Sequence, residues 1–145
     1  MRARCRSFLA EEAGAITVEF VVVLPLLILL VTFIVFASLL IAASGEVQQI
    51  AHDLARASFR YIAATPAVAD ICAELRRDVL PGLIADTLSV DPARFVLLPC
   101  AGQPDPAGYM TVTVSYDFAG SFVQSLGRNF GFDIGVISRR AITYV

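Results

Sequence analysis

A chain of 145 residues that is 57% hydrophobic, with a mean hydropathy of +0.74, is too apolar for an ordinary soluble domain. Its formal net charge of -2 is spread without long runs, so it offers no polybasic footprint for nucleic acid. All 11 basic residues are Arg, which leaves Schiff-base and lysine-nucleophile chemistry without a side chain.

The chain opens on a short basic leader containing Arg2, Arg4 and Arg6, followed by Glu11 and Glu12. Gly14-Ala15-Ile16-Thr17-Val18-Glu19-Phe20 then runs directly into apolar sequence. From Phe20 to Ala43 there are 24 residues without a formal charge. A helix of that length, rising ~1.5 Å per residue, spans about 36 Å, enough to cross a ~30 Å hydrocarbon core with some tilt. Glu19 stands at the very start of this span. A carboxylate there costs on the order of 2–3 kcal/mol at full depth, less near an interface, and marks function by default. Gly14, five residues earlier, offers a place to cut the chain. Cleavage after it would leave a new amine on Ala15, one helical turn from Glu19. Pro25 predicts a bend within the span, which a membrane tolerates.

Flanking charge sets orientation. The leader arginines precede the span, whereas Gly45 and Glu46 follow it and Arg56 is the nearest base beyond. The positive-inside bias places the N-terminus in the cytoplasm and the residues after about 45 outside. Ala43-Ser44-Gly45 is a tolerable small-residue cut for a secretory signal peptide. Two features oppose that reading: the apolar stretch exceeds the ~7–15 residues of a signal core, and Glu19 sits where no charge belongs. A retained anchor without further processing explains the length but leaves Glu19 and its spacing from Gly14 unexplained.

The residues Phe8, Glu12, Gly14, Ala15, Val18, Glu19 and Phe20, with Pro25 and Leu26 following, resemble the processing site of type IV pilin-like proteins. More narrowly, residues 8 to 45 resemble the TadE-like minor pseudopilins of the tight-adherence, Flp-type (type IVb) pilus. The spacing Gly-x4-Glu-Phe before an apolar run carries the resemblance; neither Gly nor Glu alone would. Beyond residue 45 only the layout is similar.

Past the span, Val47, Ile50, Leu54, Ala57 or Ser58, and Tyr61 fall three to four apart and predict an apolar helical stripe, with Gln49, Asp53, Arg56 and Arg60 opposite. One long helix is therefore expected, its first half in lipid and its second half against a small head. Pro66 ends the pattern. Ala67 to Leu80 predicts a second helix with Val68, Ile71, Cys72, Leu75 and Val79 on one side, and Pro81-Gly82 divides it from the next segment.

The final third changes period. Arg94 to Leu98 suits a short strand, and Cys100 to Gly108 is dense in turn residues. Tyr109 to Phe118 alternates, with Met110, Val112, Val114, Tyr116 and Phe118 facing one way. Phe122 to Phe130 is a short helix or an irregular loop. Phe132 to Val145 returns to strand character, with Ile134, Val136, Ile142 and Tyr144 among its apolar positions. The expected fold class is α+β: a long N-terminal transmembrane helix extending into a small periplasmic head with a short antiparallel sheet covered by helices. The parts are a leader over 1–14, a transmembrane helix over 15–45, and a helical stalk with head over 46–145.

A head this small benefits from a staple. Cys72 and Cys100 both fall on the expected outer side, where disulfides persist. A bridge there contributes roughly 3–4 kcal/mol in the entropic account; two buried free thiols are the alternative. Cys5 lies in the leader and would be lost with it. His52 is the only histidine and has no Cys-x2-Cys to join, so no metal site is expected. Serines lack a His–acid pair of plausible spacing, and GxSxG and phosphate-loop patterns are absent. Asp86 and Asp91 suit capping and turn roles. Arg139-Arg140 suit a strand edge guarded by charge, with a partner-binding edge as the alternative.

The resemblance implies a structural protein rather than an enzyme, with no cofactor. It implies a prepilin peptidase that cuts between Gly14 and Ala15, a family step of N-methylation at the new amine, and a role for Glu19 and Phe20 in assembly. The implied partners are that peptidase, the major pilin and other minor pseudopilins, the inner-membrane assembly platform and the lipid bilayer. The implied place is the bacterial inner membrane, single pass, with the C-terminus periplasmic and the pilus as a further destination. An uncleaved inner-membrane anchor whose periplasmic head binds a partner shares this topology. It differs at Gly14, where it keeps its full length.

Overall fold

The computed structural model describes residues 12–64, 68–88, 90–100 and 102–145, with side chains from Glu19 onward. Arg2, Arg4, Cys5, Arg6 and Phe8, together with Pro66, lie outside the described residues. The fold is α+β, a long N-terminal apolar helix followed by a small domain with a three-stranded antiparallel sheet.

Helix α1 runs over Glu12–Ile62 and carries Pro25 inside it. The chain forms two compact units, Met1–Ala37 and Ser38–Val145. In the first, the large apolar side chains from Phe20 to Val31 are exposed. In the second, the continuation of α1 buries Ala43, Val47, Ile50, Ala51, Leu54, Ala55 and Ser58. Those positions recur every three or four residues, the period that puts them on one helical face. Gln49, His52, Arg56 and Arg60 stay exposed. Ser58 is tolerated in the core because its hydroxyl donates to the Ala55 carbonyl at 2.7 Å.

The second helical region differs from expectation. It begins at Ile71, where Asp70 caps the chain by accepting from the Ala73 amide at 3.0 Å. It then passes through α2 (Ile71–Glu74), a π-helical turn over Leu75–Val79, and α3 (Leu80–Ala85). Pro81-Gly82 does not divide it. Pro81 falls in the first turn of α3, where a helix makes no use of the missing N–H.

Strand β1 is Phe95–Leu97, β2 is Tyr109–Asp117 and β3 is Val136–Tyr144, paired antiparallel in the order β1-β2-β3. Between β2 and β3 lies helix α4, Phe122–Asn129, capped by Ser121 accepting from the Gln124 amide at 3.1 Å. The alternation in β2 holds: Met110, Val112, Val114, Tyr116 and Phe118 are all buried. They share one core cluster with Phe95 and Leu97 of β1, the inner stripe of α1, and Ile71, Cys72, Leu75 and Leu80.

Strand β3 divides its apolar residues between two faces. Register pairs Val112 with Ala141 and Tyr116 with Ile137, so Ala141 is buried and Ile137 packs on the core. Val136, Ile142 and Tyr144 are exposed, because strand side chains alternate and these three fall on the opposite face. Val96 of β1 and Tyr109 of β2 are exposed there too. Among the described residues these large side chains leave that face of the sheet open.

Candidate functional site

The Gly14–Ala15 peptide lies in the first turn of α1, where backbone N–H groups have no intrahelical partner. Ala15 and Glu19 are four positions apart in this helix, about 6 Å along its axis. Glu19 and Phe20 are both exposed. Every residue from Phe20 to Ala43 is uncharged. The segment from Glu19 onward is a helix long and apolar enough to cross a membrane. One helical segment thus holds a small-residue junction, a carboxylate one turn later, an aromatic ring beside it, and a continuous apolar run.

In the head, Cys72 and Cys100 form a disulfide with their Cα atoms 5.7 Å apart, tying α2 to the loop after β1. Cys72 is buried and Cys100 half-buried. Arg76 adds a second tie by donating from Nη2 to the Leu97 carbonyl at 2.7 Å. Asp91 caps a 3-10 turn over Pro92–Arg94. Hydrogen bonding from the Ala93 amide, and then from the Arg94 side chain, holds its carboxyl below the usual 3.8. Arg94 also donates to the Ala119 carbonyl. The Asp-x-x-Arg spacing was the available signal for this pair.

His52 is exposed and its Nε2 lies 2.9 Å from Nε2 of Gln48. Asp86 ends α3. Among the described residues no three His, Cys, Asp or Glu side chains gather as metal ligands. Arg139 and Arg140 are exposed on β3, an edge strand. Arg139 reaches back to α1, its Nε donating to the Ser44 hydroxyl at 3.2 Å. Nothing local in the sequence announces that contact, since the two residues are 95 positions apart.

Residues 14–56 match the model of the TadE-like protein family. The matched segment is similar to TadE-like proteins. The match opens on Gly14 and closes on Arg56, taking in the junction, Glu19, Phe20, the apolar run and most of the stripe that packs in the head. It covers less than a third of the chain, and all three strands and both disulfide cysteines lie outside it. No curated protein and no solved structure matches the chain.

Proposed function

We propose that this chain is a minor pseudopilin, cut by a prepilin peptidase between Gly14 and Ala15 and then used in building Tad-type pili for adhesion. The observation that carries the reading is the coincidence of boundaries. The TadE-like match starts at Gly14, the residue after which a cut leaves an amine one turn from Glu19. In this reading the parts are the leader 1–14, a membrane helix over 15–45 and a periplasmic portion over 46–145. The partners are the peptidase, the major pilin, other minor pseudopilins and the assembly platform of the inner membrane. The role is structural, and no catalytic residue is assigned.

The mechanism has three physical steps. The uncut leader holds the precursor with its N-terminus inside. Cleavage converts the Gly14–Ala15 peptide into an Ala15 ammonium. As helices leave lipid and bundle, Glu19 of one subunit pairs with the ammonium of a neighbour. Unit charges ~4 Å apart attract by about 4 kcal/mol at an effective dielectric near 20. That is comparable to the cost of keeping a carboxylate in apolar surroundings, so the pair offsets the cost that Glu19 carries alone.

The test is the N-terminus of the protein recovered from membranes of cells with an active prepilin peptidase. Intact mass should show a chain beginning at Ala15. Gly14→Leu should block cutting through bulk at the junction. Glu19→Gln keeps shape and hydrogen bonding but cannot compensate an ammonium; it should leave the protein inserted and strongly reduce pili. A recovered chain beginning at Met1 would sink the processing claim and favour the uncleaved anchor. Wild-type piliation with Glu19→Gln would remove the ion pair and leave the processing claim standing.

A further inference from the structure

Where the uncharged run of α1 gives way to polar sequence, the head has a groove of about 310 Å³ lined by Leu40, Ile41, Ser44, Ile137 and Arg139. Three walls are aliphatic. The polar end is a guanidinium bonded to a hydroxyl, Arg139 on Ser44. Three other arginines of the head meet carboxylates, Arg77 on Asp78, Arg94 on Asp91 and Arg128 on Asp133, while Arg76 meets the Leu97 carbonyl. Arg139 meets no carboxylate among the described residues, and its hydroxyl partner leaves its charge uncompensated. Glu46, two positions past Ser44, does not compete. It lines a separate groove with Asp53 and Asp86, because a two-residue step turns about 200° around a helix.

Register explains how the guanidinium comes to be there. Arg139 stands opposite buried Val114, on the face of the sheet that packs inward, but β3 is an edge strand. Its guanidinium reaches α1 and donates to Ser44, beside Leu40, Ile41 and Ile137. Ile41 beside it is 72% exposed, an aliphatic wall with no occupant in the fold.

We propose that this groove binds the headgroup of an anionic phospholipid. Arg139 and Ser44 donate to the phosphate, and Leu40, Ile41 and Ile137 pack on the first carbons of the lipid chain. Two properties select this occupant. A guanidinium presents a planar fork that matches phosphate oxygens bidentately. The groove also begins in the last turn of the uncharged run, which, given the membrane-span reading under Proposed function, is the level of the headgroups. A free phosphate ion would use the donors and leave the aliphatic walls wet; a lipid uses both.

The experiment is native mass spectrometry of the full chain released from nanodiscs containing phosphatidylglycerol and phosphatidylcholine. Wild type should retain phosphatidylglycerol preferentially. Arg139→Gln should lower that retention about fivefold, the effect of one basic residue at an anionic surface. Arg139→Lys should keep part of the preference, because charge survives while the fork is lost. Ile41→Asp, which changes a wall and leaves both donors, should also lower it. Equal retention by wild type and Arg139→Gln would overturn the proposal, as would displacement of the lipid by millimolar inorganic phosphate. Alkaline extraction of the same membranes separates the two readings. An inserted chain without lipid preference removes the groove's role alone, whereas an extracted chain removes the span and the groove's role together.

Discussion

Replacing Cys100 with Ala isolates the contribution of the staple, because Cys100 is only half-buried and its loss removes little packing. The two cysteines are 28 positions apart. For a loop of that size the chain-entropy relation gives about 12 cal/mol/K, or about 3.6 kcal/mol at 25 °C. For a unit of roughly 100 residues, that corresponds to a fall in midpoint of about 15–25 °C. Far-UV circular dichroism would miss much of this, since the apolar helix dominates the signal. Near-UV circular dichroism reports the head directly. Tyr116 is buried with its ring 5.1 Å from Phe95 and 4.8 Å from Phe118, so loss of that packing erases its asymmetry. Denaturant titration of the full chain in mild detergent should show Cys100→Ala destabilised by about 3–4 kcal/mol. Wild type under reductant should show the same loss. Cys72→Ala should cost somewhat more, because Cys72 is 1% exposed and its removal leaves a void. The double variant should match Cys72→Ala, since one bond can be lost once. A Cys100→Ala midpoint indistinguishable from wild type, or costs that add in the double variant, would refute the reasoning.

Leu54 on the inner stripe of α1 is fully buried, so Leu54→Ala should cost about 2–5 kcal/mol in the same titration; a change within error would mean α1 does not pack in the head core. Gly108 holds a positive φ of 84°, and a Cβ there would meet the Tyr144 ring at 3.2 Å. Gly108→Ala should therefore lose about 1–2 kcal/mol from left-handed backbone strain, read as a lower denaturation midpoint. The carboxyl of Asp91 has its folded pKa lowered below 3.8, first by the Ala93 amide and then by Arg94. A lowered folded pKa contributes stability that is complete above the ordinary value and is lost as pH falls through the folded one. The stability difference between wild type and Asp91→Asn should accordingly shrink as pH drops below 3.8. A difference that stays constant through that range would contradict the linkage.

How much of this was legible depended on whether the signal was local. The junction, Glu19 and the apolar run sit within one short stretch, and the TadE-like match falls on the same residues. Strand β2 was legible because one of its faces is buried throughout, so its alternation is a faithful record of burial. Strand β3 was not. It pairs on one side only, carries Arg139 and Arg140 mid-strand, and buries its smallest apolar residue, Ala141, while Val136, Ile142 and Tyr144 lie on the uncovered face. Hydrophobicity alone does not say which face is covered there. Pro81-Gly82 misled for another reason: proline breaks a helix interior but suits a first turn, and a π-helical turn ahead of it cannot be read from composition. For Cys72 and Cys100, compartment argued for a bond, but only the fold could bring their backbones to 5.7 Å.

The TadE-like match falls on the part of this chain that carries two demands at once. The matched segment reaches Arg56, so it includes the α1 positions from Ala43 to Ala55 that are buried in the head. A helix that must both carry an apolar run and fill a domain core is constrained on every turn. Its first part has to remain apolar on all sides, and its second part needs aliphatic residues every third or fourth position. The strands and the disulfide loop carry no such double demand. They need only present an inner face that fits α1, which leaves the outer face of the sheet, the edge of β3 and the loop after β1 free to differ. The exposed residues Val96, Tyr109, Val136, Ile142 and Tyr144 lie on that unconstrained surface. If, as proposed, the head meets other subunits, this uncovered face is where large apolar side chains remain for the contact.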